Sequence, residues 1–317
     1  MMKILNLAFF IALNAVAAQA ETVPQPRDQN IRHVLQIPEG GLADFLGWRQ
    51  ARVPLISHHR AGPAPGYPEN AIETMDNALK YGPGLMEIDV AELADGTLIL
   101  MHDRTFERTT TGSGSVVDLG WEIVQNFYLE DEDQLVTNFR VPLFEDVLGW
   151  AKGRAILTLD IKPDTDFQKV VAAVEKAGAQ DYVAAIAYTL EQAVFFHKKA
   201  PSMPITVTIR NEAELQAVLA SGIPARQIVA WTGTSALSPA FYQKLHGKGW
   251  RVIMGTLGSG PSSIDNQIAA NDNDARYLEF YQQGIDVIAT DRFWAVQNQI
   301  NNPNMYFFVR EQRLLAK

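Results

Sequence analysis

From Val53 onward the chain repeats one rhythm: short runs rich in Val, Ile and Leu, separated by longer stretches with apolar residues at helical spacing. Strands that alternate with helices build βαβ units, and these require a parallel sheet with helices packed on its face. Nine such runs are expected as strands: 53–57, 85–90, 97–101, 155–161, 183–187, 205–209, 228–231, 250–254 and 286–290. That is one more than a closed TIM-type (β/α)8 barrel uses. The second and third are joined only through Asp95-Gly96, too short for a parallel crossover. This irregular pair is expected to be a hairpin or one strand with an extension.

The intervening helices are marked by period and punctuation. Ala71, Met75, Ala78 and Leu79 fall on one face between Asn70 and Tyr81, and Gly82-Pro83-Gly84 ends the pattern. Phe167, Val170, Val171 and Val174 follow an expected cap at Asp164/Thr165, and Ser238-Pro239 reads as a cap and first turn. The segment 21–52 carries Pro24, Pro26, Pro38 and Gly40-Gly41 with one short helical pattern from Leu42 to Trp48. It is expected to be an extension packed on a barrel domain spanning 53–317.

At the start, Lys3, an apolar run from Ile4 to Ala18 and the small-residue triplet Ala18-Gln19-Ala20 form a signal-peptide pattern over residues 1–20. Cleavage there leaves roughly 300 residues, the usual size of one α/β barrel. A secreted protein, periplasmic or extracellular, is expected, with no integral membrane segment after cleavage. The chain has no cysteine, so neither disulfides nor thiolate metal sites contribute. Its net charge of −9 and lack of a Lys/Arg block make nucleic acid a poor partner.

The chemistry collects at the strand ends. In Leu85-Met86-Glu87-Ile88-Asp89-Val90, a two-residue period puts Glu87 and Asp89 on one face. Adjacent carboxylates in a covered strand are costly unless a cation, an arginine or backbone N–H groups compensate them. A divalent metal explains the pair economically, and all-oxygen ligands suit Ca²⁺ or Mg²⁺. Asp160 and Lys162 repeat the pattern on their own strand. His59, in Ser57-His58-His59-Arg60, follows the first strand, and His102, in Met101-His102-Asp103, follows the third. Two imidazoles placed so can divide acid and base duty, and the Arg60 fork matches phosphate oxygens.

In this order the motifs resemble the glycerophosphodiester phosphodiesterase family, a TIM-barrel group similar to phosphatidylinositol-specific phospholipases in its use of two histidines. The matching pieces are His59-Arg60, Pro68-Glu69-Asn70, Glu87-Ile88-Asp89-Val90, Asp95-Gly96, His102-Asp103, Arg108-Thr109-Thr110, Val141-Pro142-Leu143, Asp160-Ile161-Lys162, Gly284-Ile285-Asp286 and Thr290-Asp291. The resemblance implies His59 and His102 as the acid/base pair and Glu87, Asp89 and Asp160 as ligands of one divalent cation. It also implies Arg60, Glu69 and Lys162 as support for the phosphate or the metal.

The implied reaction is metal-dependent hydrolysis of a small-molecule phosphodiester to an alcohol and glycerol 3-phosphate, with either water or the neighbouring glycerol hydroxyl as nucleophile. The alternatives are a phospholipase-type diesterase acting on a lipid headgroup, for which an apolar rim at the site mouth would speak, and a catalytically silent binder of phosphorylated polyols. A metal-dependent sugar isomerase would not need the Arg/Lys clamp. Four positions depart from the family: Ala61 precedes the expected glycine, Ala71 replaces threonine, Asp160 replaces glutamate, and Gly255 stands near a usual tryptophan. Tyr188 and Trp231, at neighbouring strand ends, are candidates to supply the missing aromatic wall.

Overall fold

The computed structural model describes residues 22–50 and 53–305, so the leader expected over 1–20 lies outside the described residues. Eight parallel strands close into a barrel: β1 (Leu55–His58), β2 (Leu85–Glu92), β6 (Ile156–Ile161), β7 (Val183–Ala187), β8 (Ile205–Thr208), β9 (Ile228–Trp231), β10 (Val252–Gly255) and β11 (Val287–Thr290). Closure is made by β1, which pairs with β11 through Leu55–Val287 to His58–Thr290 and with β2 through Ser57–Leu85 and His58–Met86. The irregularity around the second strand resolves as a hairpin: β3 (Leu98–Leu100) runs antiparallel to the far end of β2, Val90 opposite Leu100. Gly96 turns the chain at φ 84°, a conformation that favours glycine. Because β1 pairs only with Leu85 and Met86, the edge beyond it is open for β3.

Alternation along the strands separates two cores. Ile56, Met86, Ile88, Leu157, Leu159, Met254 and Ile288 face outward, among helix residues such as Met75, Val147, Val170 and Phe196. Their neighbours Leu55, Leu85, Ile156, Val229, Ile253 and Val287 face inward and meet Leu42 and Leu46 from the helix Gly41–Leu46. The N-terminal segment therefore stops the barrel floor with apolar side chains. Each such burial contributes about 1.5–3 kcal/mol.

The helix after β6 (Phe167–Lys176) is capped not by Asp164/Thr165 but by Asp166, whose side chain accepts from Gln168 N–H at 2.8 Å. Asp164 pairs instead with Arg104 at 3.1 Å. The Ser238 cap before Pro239 is present, its hydroxyl accepting from Phe241 N–H at 3.3 Å. An unanticipated hairpin, β4 (Tyr128–Glu130) with β5 (Val136–Arg140), rises from the long excursion after β3. Its tip is tied down by Asp131, which accepts from Gly66 N–H at 2.8 Å.

Candidate active site

The adjacent strands β2 and β6 bring the acidic residues together. Asp89 and Asp160 are register partners on adjacent strands, and Glu87 lies two residues before Asp89 on the same face. One oxygen from each of these three buried carboxylates lies within 4.8 Å of the others. Lys162 reaches between two of them, 2.6 Å from Asp89 and 2.8 Å from Asp160. Asn70, held at φ 58°, donates to Asp89 at 2.7 Å and accepts from the Asp89 N–H at 2.9 Å. Tyr188 donates its hydroxyl to Asp160 at 2.9 Å.

Lys162 and the Arg60 guanidinium, whose Nε lies 3.9 Å from Asp89, do not balance three buried carboxylates. Burial and the neighbouring Asp89 charge push Glu87 up to about 8. Asp89 moves the other way: burial would raise it, but Lys162 beside it brings it below the ordinary carboxylate value. An uncompensated oxygen cluster of this kind fits a hard divalent cation, which takes carboxylate oxygens and needs the negative charge that Lys162 and Arg60 leave over.

The backbone after β1 is strained to form the other half of the site. Arg60, Ala61 and Gly62 have φ of 48°, 73° and 80° in succession. Such a left-handed run is costly without a glycine at each position, and strain of this kind collects at functional sites. It aims the Arg60 N–H at Glu87, 2.7 Å away, and swings the guanidinium toward Glu69 (2.9 Å) and His102 Nε2 (2.7 Å). Glu69 is in turn gripped by both terminal nitrogens of Arg108, at 2.9 and 2.8 Å.

Both histidines are oriented by aspartates. His59 Nδ1 lies 2.6 Å from Asp291, the first residue past β11. Burial opposes the charged ring, but the Asp291 hydrogen bond and the Glu87 charge more than reverse this, raising His59 to about 9. His102 Nδ1 lies 2.6 Å from Asp103. Arginine only donates, so the His102 Nε2 that Arg60 reaches is an acceptor, and the ring carries its proton on Nδ1 toward Asp103. His59, Glu87, His102 and Asp160 line a cavity of about 160 Å³ at the barrel mouth. Tyr188 and Trp231 line the same cavity.

All ten residues singled out from the sequence thus gather at this end of the barrel, nine in the ionic and hydrogen-bonded network and Trp231 in the cavity lining. Asn70, Asp103, Arg108 and Asp291 belong to motif pieces but gained no role from sequence reasoning. Their partners in space, Asp89, His102, Glu69 and His59, supply it.

The Glycerophosphoryl diester phosphodiesterase family model matches residues 59–293. A glycerophosphoryl diester phosphodiesterase structure from Parabacteroides distasonis superposes with a TM-score of 0.74 at 32% identity, covering 82% of this chain and 90% of that one. An Oleispira antarctica phosphodiesterase, solved with the product sn-glycerol-3-phosphate, gives a TM-score of 0.63 at 17% identity over 79% of this chain and 98% of that one. Mouse glycerophosphodiester phosphodiesterase 1 is 34% identical over 119 residues, 36% of this chain. The chain spans 35% of the mouse protein's length and 55% of that of a Bacillus subtilis relative. On the family match over most of its length, the chain belongs to the glycerophosphoryl diester phosphodiesterase family.

Proposed function

We propose that this protein hydrolyses glycerophosphodiesters to glycerol 3-phosphate and an alcohol, with a divalent cation held by Glu87, Asp89 and Asp160. The carrying observation is that two aspartate-backed histidines line one cavity together with Glu87 and Asp160 of the carboxylate cluster. The bound cation would polarise the phosphoryl oxygens and offset their growing charge. His102, with Nε2 as an acceptor, takes a proton from the attacking water as its oxygen bonds to phosphorus, or from the neighbouring glycerol hydroxyl if a cyclic phosphate forms first and water then opens it. His59, kept protonated by Asp291, gives its proton to the alkoxide as the P–O bond to the alcohol breaks. Arg60 and Lys162 carry positive charge at the phosphoryl position. Arg108 clamps Glu69, and Glu69 restrains Arg60, so that Arg60 can leave His102 Nε2 for a phosphate without being lost from the site.

The test is product identity: wild type with glycerophosphocholine is expected to release choline and glycerol 3-phosphate, not phosphocholine and glycerol, and His59→Ala is expected to lose that release. Phosphocholine as product, or full activity of His59→Ala, would overturn the assignment.

A second reading, a lipid diester as substrate, is favoured by one observation. Leu135 and Val136 are 63% and 59% exposed on the β4–β5 hairpin, whose tip residue Glu132 feels the charges of Asp291 and Glu69 at the site. Release of choline from lysophosphatidylcholine at a rate matching glycerophosphocholine would support it, and no release would exclude it. Export rests on the leader pattern of residues 1–20, and the N-terminal residue of the mature protein tests it: Glu21 is expected.

A further inference from the structure

The aspartate that backs His59 is itself held from behind, by a buried carboxylate that lies outside every motif quoted above. Asp265 stands in the first turn of the helix Ile264–Ala270, between β10 and β11 in the chain, and is 1% exposed. Its own N–H donates to Thr256 O at 2.9 Å, which ties it to the residue just past β10. One carboxylate oxygen, Oδ2, accepts from the Asp291 N–H and from the Thr290 hydroxyl, each at 2.8 Å. The other, Oδ1, accepts from the Tyr277 hydroxyl at 2.7 Å. Thr290 Oγ1 accepts in turn from the Arg292 N–H at 2.9 Å.

A carboxylate taken out of water is costly unless its oxygens find donors, and both donors on Oδ2 come from the place where β11 ends. That leaves Asp291 little choice of direction. Its N–H is fixed by Asp265 and its Oδ2 accepts from the Gly258 N–H at 2.8 Å, while its Oδ1 meets His59 Nδ1 at 2.6 Å.

We infer that Asp265 is a positioning residue for the general acid: it fixes the turn after β11 from which Asp291 orients the His59 ring. The inference rests on the role proposed for His59 and carries its support one residue further, from the imidazole to Asp291 to Asp265. Asp265 is not part of the cavity lining, so it acts on the reaction through Asp291. The effect falls on proton transfer, which needs the donor within hydrogen-bond reach of the leaving oxygen.

Asp265→Ala removes the acceptor and is expected to lower kcat by about 10²-fold, as displacement of a catalytic group by about 1 Å does, with KM close to wild type. Asp265→Asn is the rescue. Its carbonyl can still accept from Thr290 and Asp291 while its amide donates to Tyr277 Oη, so its kcat is expected to stay nearer wild type than that of Asp265→Ala. A purely structural Asp265 would lower the denaturation midpoint and leave kcat of the folded protein unchanged, and that result would overturn the inference. Should Asp265→Ala not fold, Thr290→Val removes one bond to Oδ2 at constant shape. It is expected to cost about tenfold in kcat, and an unchanged kcat again overturns the inference.

A crystal structure of the folded variant reads position without turnover. Loss or lengthening of the 2.6 Å contact between Asp291 and His59 is expected. That outcome supports the inference even if wild type cleaves no diester, in which case only the catalytic reading falls. An unchanged contact overturns the inference whatever the activity.

Discussion

The two ends of the same barrel are buried alike and built from opposite materials. Within β2, Leu85 is 1% exposed and joins Leu42, Leu46 and Val287 in the floor, while Asp89, two turns of the alternation later and also 1% exposed, enters the ionic cluster. At the floor, burial removes apolar surface from water and yields stability. At the mouth, it desolvates charge and costs stability, which persists only where partners compensate it. The strained turn at Arg60-Ala61 stands at the mouth. Stability and chemistry are thus segregated along each strand, as expected where catalysis sits at the carboxyl ends of barrel strands.

Substitutions that separate the two ends sharpen the comparison. The largest effect is expected at the mouth, where His59→Ala should reduce kcat by about 10²–10⁴-fold in protein that circular dichroism shows to be folded. At the floor the pattern should invert: Leu85→Ala is expected to cost about 2–5 kcal/mol in urea unfolding, with KM and kcat of the remaining folded protein unchanged.

Glu87→Gln probes the cost of the mouth itself. With Glu87 at about 8, above its ordinary value, the folded protein below that pH must hold a proton that the unfolded chain has released above the ordinary value. Replacing the carboxyl removes this penalty, so metal-free Glu87→Gln should be more stable than wild type in urea unfolding at pH 7. Added Ca²⁺ or Mg²⁺ should stabilise wild type and not the variant.

His58 extends the comparison into acid. It is fully buried with no hydrogen-bond partner for either ring nitrogen among the described residues, and burial pulls it down to about 3. The neutral ring carries no such penalty above the unfolded value near 6.5; the penalty grows as pH falls and is complete at about 3. Near pH 4 it amounts to roughly 3 kcal/mol, so His58→Phe should flatten the acid limb of a stability–pH curve. The smallest effect belongs to Ala61→Gly, which relieves a buried residue at φ 73° and should add about 0.5–1 kcal/mol, net of greater freedom in the unfolded chain.

Much of this division was legible from the residues alone. Period two puts Glu87 and Asp89 on one face of their strand and Asp160 with Lys162 on one face of theirs, and barrel closure turns these faces inward. The floor contact of Leu42 and Leu46 was not legible: a six-residue apolar pattern names no partner. Asp291 was quoted as a motif without a role, since His59 lies 232 positions away in sequence. The β4–β5 hairpin escaped notice because its strands are short and β5 alternates between exposed and half-buried residues, with no apolar face to signal. Asp164, Thr165 and Asp166 all suit a helix cap by type, and only the chain path selects Asp166.

The most direct measurement is glycerol 3-phosphate release from glycerophosphocholine by wild type and by Glu87→Gln, each with Ca²⁺ or Mg²⁺ and with a chelator. The proposed chemistry predicts release by wild type that the chelator abolishes, and a folded, metal-free Glu87→Gln that is more stable yet silent. Undiminished release in the chelator, or from Glu87→Gln, would contradict a cation held by the carboxylate cluster as the centre of the reaction.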